Sequence, residues 1–364
     1  MSSANTLDHL PALDGFRGLA ILMVLAMHTL SMPLGWAGVD LFFVLSGFLI
    51  TRILLSSVGK EGYYRAFYWR RILRILPIYY LLFVVALVLV RGIRHSAWFY
   101  SLYAVNLAQF WPMYRVSGFD HIWSLSTEEQ FYSMWPAAVA NIGRKGIAVI
   151  AVLGVVASVC VRLYFAGRVD SYAYCVLRQD GLFIGALMAV AYTSTMAVRE
   201  RLTRLSPFAF FAALICIAAL GKNNMSFSHP TTLNALLAIP GIGVLFGSAL
   251  WWVLMNDTTV LAAAFEGRWL REIGKVSYGL YLYHWPILTA WRASHFGQHG
   301  RLAGRLGDFL VGAVVSFVVA ELSFHLLEKR INRPGLRARF PLGNAVVKPV
   351  ATGTDTAYAI PAER

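Results

Sequence analysis

Several ionisable side chains lie inside apolar runs of this chain, where they are costly unless they line a pathway or a reaction site. The first run opens at Arg17 and continues Gly18-Leu-Ala-Ile-Leu-Met-Val-Leu-Ala-Met-His28. At helical rise, the step from Arg17 to His28 covers about 16 Å, which carries the imidazole toward the middle of a bilayer. A neutral imidazole is tolerable at that depth and can take up a proton during a reaction. A packing histidine bonded to a neighbouring helix is the other reading, and position does not choose between them. Asp40 opens the next run after a turn through Pro33 and Gly35. It either orients the imidazole, as the carboxylate of a triad does, or is an acidic residue favoured by the dipole of a helix N-terminus.

Four further segments carry groups that could do chemistry. The stretch Tyr64-Arg65-Ala-Phe-Tyr-Trp-Arg70-Arg71-Ile-Leu-Arg74 is basic and aromatic. Arg71 and Arg74 share a helix face, so both guanidiniums can reach one anion; anchoring at a membrane surface is the alternative. Trp123-Ser-Leu-Ser-Thr-Glu128-Glu129-Gln-Phe-Tyr132 opens another apolar run. Adjacent residues point in different directions on a helix, so at most one of Glu128 and Glu129 faces His28. Ser277-Tyr-Gly-Leu-Tyr281-Leu-Tyr-His284-Trp-Pro286 puts tyrosines and a histidine ahead of a proline kink, where a helix break can open a cavity. Arg178 and Asp180, two apart at the start of a further run, read as an internal salt bridge.

These residues must be positioned by membrane helices. The 364-residue chain is 58% hydrophobic and 14% charged, which departs from the balance of a soluble domain. Runs near the length needed to cross a bilayer predict an all-α polytopic integral membrane protein and exclude an outer-membrane barrel. Eleven apolar runs occur, near 18–33, 38–57, 75–90, 97–112, 123–142, 146–166, 177–195, 205–220, 231–255, 276–294 and 306–327. If 97–112 is a short re-entrant or interfacial segment, all the basic loops share one side, as the positive-inside rule requires. The expectation is therefore ten spanning helices with both termini cytoplasmic. It gives a cytoplasmic tail over 1–10, a transmembrane domain over 11–333 and a cytoplasmic tail over 334–364. The net charge of +14 follows the ends of apolar runs rather than a continuous basic face, which argues against a nucleic-acid partner. The three cysteines lack metal-ligand spacing, and no metal is expected.

In order and spacing these blocks resemble the acyltransferase 3 family, integral-membrane O-acyltransferases acting on bacterial glycans and some natural products. The matching blocks are Leu13-Asp-Gly-Phe-Arg17-Gly18, the Arg17 to His28 spacing, Gly38-Val-Asp40 through Ile50, Arg71-x-x-Arg74, Trp123 through Tyr132, Ser277 through Pro286, and Leu327-Glu328-Lys329. They cover about residues 10–333. The resemblance implies transfer of an acyl group, by default acetyl, from cytoplasmic acetyl-CoA to a hydroxyl of a surface or secreted polysaccharide or its lipid-linked precursor, in the bacterial inner membrane. It makes His28 the general base, and Arg17, Arg71 and Arg74 contacts for the CoA phosphates. The acceptor is expected from the far side, near Asp40, Glu128 and Glu129, with His284, Tyr281, Arg178 and Asp180 as its contacts. His28 either activates the hydroxyl directly or carries the acyl group itself. The resemblance also leads us to expect no periplasmic hydrolase-like domain of the kind some relatives carry. A transporter or flippase of a glycan or anionic substrate is the competing class, and the absence of an internal repeat argues against it.

Overall fold

The computed structural model describes residues 10–108, 110–165, 178–221, 234–294 and 302–333, and no β-strand occurs among them. The expected tails fall outside these residues, apart from Leu10. In chain order the helices are α1 (Pro11–Leu30), α2 (Ala37–Ser57), α3 (Tyr63–Leu89), α4 (Arg91–His95), α5 (Ala97–Ser101), α6 (Val105–Ala108), α7 (Trp123–Phe165) and α8 (Asp180–Tyr192). They continue with α9 (Met196–Gly221), α10 (Ile239–Met255), α11 (Val260–Phe265), α12 (Arg268–Lys275), α13 (Ser277–Ala293), α14 (Leu302–Phe309), α15 (Ser316–Ser323) and α16 (Lys329–Ile331). Two π-helical stretches, Leu310–Val315 and Phe324–Glu328, join α14, α15 and α16 into one rod.

Among the described residues, seven helical segments are long and apolar enough to cross a membrane, not the ten expected. Two physical reasons account for the difference. The runs 123–142 and 146–166 lie in one counted stretch, Asp120–Phe165, although Gly143, at φ 70° and ψ 168°, breaks it by a kink into two helices. The runs 177–195 and 276–294 yield helices of 13 and 17 residues, because their ends go into caps and turns. At 1.5 Å per residue α8 covers about 20 Å, short of a hydrocarbon core. The run 97–112 breaks into α5, α6 and a 3₁₀ turn, none of them long enough to cross.

The chain is inverted relative to a soluble protein, with large apolar side chains such as Val88, Leu89, Phe208 and Ile215 facing outward. That surface suits lipid, which rewards packing between helices rather than burial from water. One such close contact joins α2 to α8. A Cβ on Gly47 would stand 1.9 Å from the Leu182 carbonyl oxygen, and one on Gly185 would stand 2.1 Å from that of Val44. Only hydrogen at both positions lets the two backbones touch.

The same helices are locked electrostatically at one end. Arg162 of α7 makes two parallel 3.0 Å hydrogen bonds to the carboxylate of Asp180, the first residue of α8. Arg178, just before α8, is ion-paired with Asp40 in the first turn of α2, and its guanidinium lies 5.0 Å from the centre of the Trp36 ring. All four side chains are buried. The expected bridge between Arg178 and Asp180 is therefore replaced by two pairs that cross between helices. Two residues apart in sequence, the arginine and the aspartate reach different neighbours.

Two outcomes follow. Gly47→Ala should cost about 1–3 kcal/mol by overpacking, read as a lower thermal midpoint in detergent; an unchanged midpoint would contradict the backbone contact. Arg162→Met should cost about 3–5 kcal/mol because it strands Asp180, whereas Arg162→Met with Asp180→Leu should recover most of the loss. If the double variant were no more stable than the single one, the isolated charge would not be the cause.

Candidate active site

Arg17 of α1, Ser46 of α2, Arg71 and Arg74 of α3, Glu128 and Tyr132 of α7, and Tyr281 of α13 line one cavity of about 100 Å³. Arg17 on α1 and the Arg71–Arg74 pair on α3 converge here. Arg17 is steadied by Asp14, one helical turn back, at 2.8 Å. The Arg71 guanidinium lies 4.1 Å from the centre of the Tyr132 ring, an arrangement that fixes its plane. Arg74 is exposed, whereas Ser124 and Tyr281 on the same wall are buried. The cavity thus runs inward from a cationic mouth.

Of the two neighbouring glutamates, Glu128 is the one that faces this cavity, accepting a hydrogen bond from Ser46 Oγ at 2.8 Å. Glu129 points away, and its Oε1 is buried with no hydrogen bond among the described residues. The helical geometry that lets only one of the pair face a site therefore selects Glu128. Its place is beside the arginines, not with an acceptor on the far side.

At its deep end the cavity meets a hydrogen-bonded wall. The Tyr281 hydroxyl donates to the His121 carbonyl at 2.8 Å and lies 2.6 Å from Ser124 Oγ. Because its one proton is committed to the carbonyl, Ser124 is the donor to the tyrosine oxygen. Behind this wall is a cluster of imidazoles. The His284 ring centre is 5.3 Å from that of His121 and 5.1 Å from that of His28. His284 Nδ1 lies 2.7 Å from the Tyr281 carbonyl and 3.2 Å from that of Leu280. Carbonyls only accept, so Nδ1 carries the proton and Nε2 of the neutral ring is an acceptor. His28 Nδ1 stands 3.2 Å from that Nε2 and donates to it. The remaining lone pair of His28 is therefore on Nε2.

Further contacts hold His28 from the other side. The Trp285 ring packs against the imidazole at 4.3 Å between centres, and its indole N–H donates to Asp120 at 2.7 Å. His28 is only partly buried, whereas His284 is almost fully enclosed.

The geometry brings together Arg17, Arg71, Arg74, Glu128 and Tyr281 at the cavity, with His28 and His284 behind it. It separates Asp40, Arg178 and Asp180 from them. Asp40 was expected to orient His28, but its carboxylate is engaged by Arg178, and His284 bonds the imidazole instead. A carboxylate buried beside a guanidinium is held by charge, while a neutral ring needs only a neutral acceptor. Arg178 and Asp180 likewise go to ion pairs rather than to an open surface. Sequence reasoning passed over Ser46, Ser124, His121, Asp120 and Trp285, which carry no spacing that marks them. Arg162 did carry a signal, as a lone cation in an apolar run. Among the described residues, no group of three His, Cys, Asp or Glu side chains could hold a metal ion.

Comparison with known proteins identifies the family. An acyltransferase domain model, that of the acyltransferase 3 family, matches residues 10–323. The chain is 30% identical over 374 residues to the provisionally named peptidoglycan O-acetyltransferase YrhL of Bacillus subtilis, covering 91% of this chain and 56% of that protein. It is 27% identical to the peptidoglycan O-acetyltransferase OatA of Listeria monocytogenes, covering 90% and 56%. It is also 30% identical to the provisionally named membrane-bound transacylase BcsY of Komagataeibacter xylinus, covering 85% and 81%. The chain thus spans little more than half the length of the first two relatives. No solved structure matches. With the domain covering residues 10–323, more than four-fifths of its length, the chain belongs to the acyltransferase 3 family.

Proposed function

We propose that the protein transfers an acyl group, acetyl by preference, from acyl-CoA to a hydroxyl of a bacterial surface or secreted polysaccharide or its lipid-linked precursor, with His28 as general base. The observation that carries this reading is the single line from three arginines, through the cavity, to the paired histidines. The donor meets the protein at the cationic mouth, which the positive-inside rule assigns to the cytoplasmic face of a bacterial inner membrane. Arg17, Arg71 and Arg74 take its phosphates, since guanidinium forks match phosphate oxygens. The cavity of about 100 Å³ takes the slender acyl end, while the nucleotide stays at the cationic mouth.

His28 is not among the residues lining the cavity. For acyl group and imidazole to meet, the Tyr281–Ser124 hydrogen bond must part, so this wall controls when the thioester reaches the base. The acceptor hydroxyl approaches from the opposite, half-open side of His28. Nε2 of His28 takes the hydroxyl proton as the oxygen attacks the thioester carbonyl. The tetrahedral intermediate then expels the CoA sulfur, which leaves as thiol with the proton held by His28. His284, accepting from Nδ1, shares the positive charge that develops on the ring.

Purified protein given radiolabelled acetyl-CoA and a lipid-linked glycan extract tests this reading. His28→Ala should lower transfer by about 10²–10⁴-fold while leaving the protein folded; turnover at the wild-type rate would end the assignment. Arg71→Gln and Arg74→Gln should raise KM for acetyl-CoA by about tenfold each, the loss of one charged phosphate contact, with a smaller effect on kcat. If these two instead lowered kcat at unchanged KM, the arginines would not be the donor site.

A further inference from the structure

An ion pair outside the cavity touches the proposed base through its backbone. α1 ends at Leu30, and the carbonyls of its last turn, that of His28 among them, have no donor further along the helix. Arg292 of α13 supplies one, its Nη2 donating to the His28 carbonyl oxygen at 2.6 Å. The guanidinium is held in turn by Asp308 of α14, whose Oδ2 accepts from Nε at 2.9 Å and from Nη2 at 2.8 Å. Its other flank lies 5.9 Å from the Trp285 ring, the ring that packs against the imidazole. A cation at a helix C-terminus is also favoured by the macrodipole. Beyond Asp308 the chain enters the π-helical stretch, where a Cβ on Gly312 would stand 2.7 Å from Thr29 Cγ2, next to His28.

We infer that Arg292, braced by Asp308, is a positioning residue for the acyl transfer proposed above, setting the height and rotation of His28 by binding its carbonyl oxygen. The inference rests on that reading of His28. Side-chain contacts on both sides of the imidazole hold the ring, but both belong to α13 or to residues bonded to it. The left-handed cap at Ser31 and the Met32 N–H close α1 onto the Ala26 carbonyl and leave the His28 carbonyl for a donor from outside the helix. Arg292 ties it to α13, so the distance between His28 and His284 follows from one guanidinium. Lysine cannot substitute, because a single ammonium does not present a planar fork to a carbonyl and a carboxylate together.

Arg292→Lys, Arg292→Ala and Asp308→Asn, compared with wild type in the transfer assay, test this. All three should lower kcat by about 10–100-fold, the penalty of a small misplacement of a catalytic group. KM for acetyl-CoA should not change, because the donor cavity is built from other residues. A second readout needs no substrate: the rate at which diethyl pyrocarbonate modifies His28, measured by peptide mass spectrometry against the exposed His325. That ratio should change severalfold in each variant. Unchanged kcat together with an unchanged labelling ratio would overturn the inference. So would a fall in kcat matched by a raised KM and a collapsed thermal midpoint, which marks general unfolding. Altered labelling in the variants of a wild type that transfers nothing would keep the role of Arg292 in placing His28 and remove the acyltransferase reading.

Discussion

Every ionisable side chain inside this helical bundle needs a partner, because the surrounding lipid offers none. The ways in which the partners are found organise the structure. Where two full charges are buried, they are paired across helices: Arg162 with Asp180 and Arg178 with Asp40. These bonds fix one end of α2 against α7 and α8, and the glycine contact of Gly47 and Gly185 fixes its middle. Held at both points, α2 presents Phe42, Phe43 and Ser46 to the cavity as a rigid wall. Where neutral imidazoles are buried, His284 is met by the Tyr281 carbonyl and by His28, whereas both ring nitrogens of His121 are buried with no hydrogen bond among the described residues. Three further cations, Arg17, Arg71 and Arg74, are gathered at the cavity mouth.

The site divides accordingly into a charged part and a neutral part. Guanidiniums, a carboxylate and hydroxyls occupy the cavity, and histidines with aromatic rings occupy the region behind it. Tyr281 belongs to both. Its ring lies against His121 and His284, and its hydroxyl joins Ser124 on the cavity wall. Such a boundary suits a reaction whose two substrates arrive from opposite sides and whose thioester must be kept from water until an acceptor is in place. It also explains why so much of α13 is polar for a helix of this length: Ser277, Tyr278, Tyr281 and His284 all face neighbouring helices rather than lipid.

Helical class and membrane setting were legible from composition and run length, since nothing else accommodates such apolar stretches. The convergence of Arg71 with Arg74 followed from helical spacing, and the proximity of Tyr281 and His284 from their place one turn apart. What sequence could not supply were partners distant along the chain. Asp40 had two candidates in reach, a histidine across a turn and an arginine 138 residues on, and only the packing of α2 against α8 decides for Arg178. The choice between Glu128 and Glu129 likewise depended on the rotation of α7, which follows from its neighbours. Fewer long spans occur than expected because hydropathy sees apolar runs and not the caps that shorten α8 and α13, and because the two runs either side of the Gly143 kink count as one stretch. Arg292 and Asp308 were invisible for the same reason as Asp40: their meeting point is a backbone carbonyl on α1.

The central claim is a path, from arginines to histidine, along which a thioester travels. The measurement that tests it most directly is a cryo-EM structure with a non-hydrolysable acetyl-CoA analogue bound. The account predicts phosphates on Arg17, Arg71 and Arg74, a parted Tyr281–Ser124 hydrogen bond, and the acyl carbonyl carbon within about 3–4 Å of where an acceptor oxygen bonded to His28 Nε2 would stand. An analogue whose acyl group stops at an intact Tyr281–Ser124 wall, or which binds away from the arginines, would contradict it.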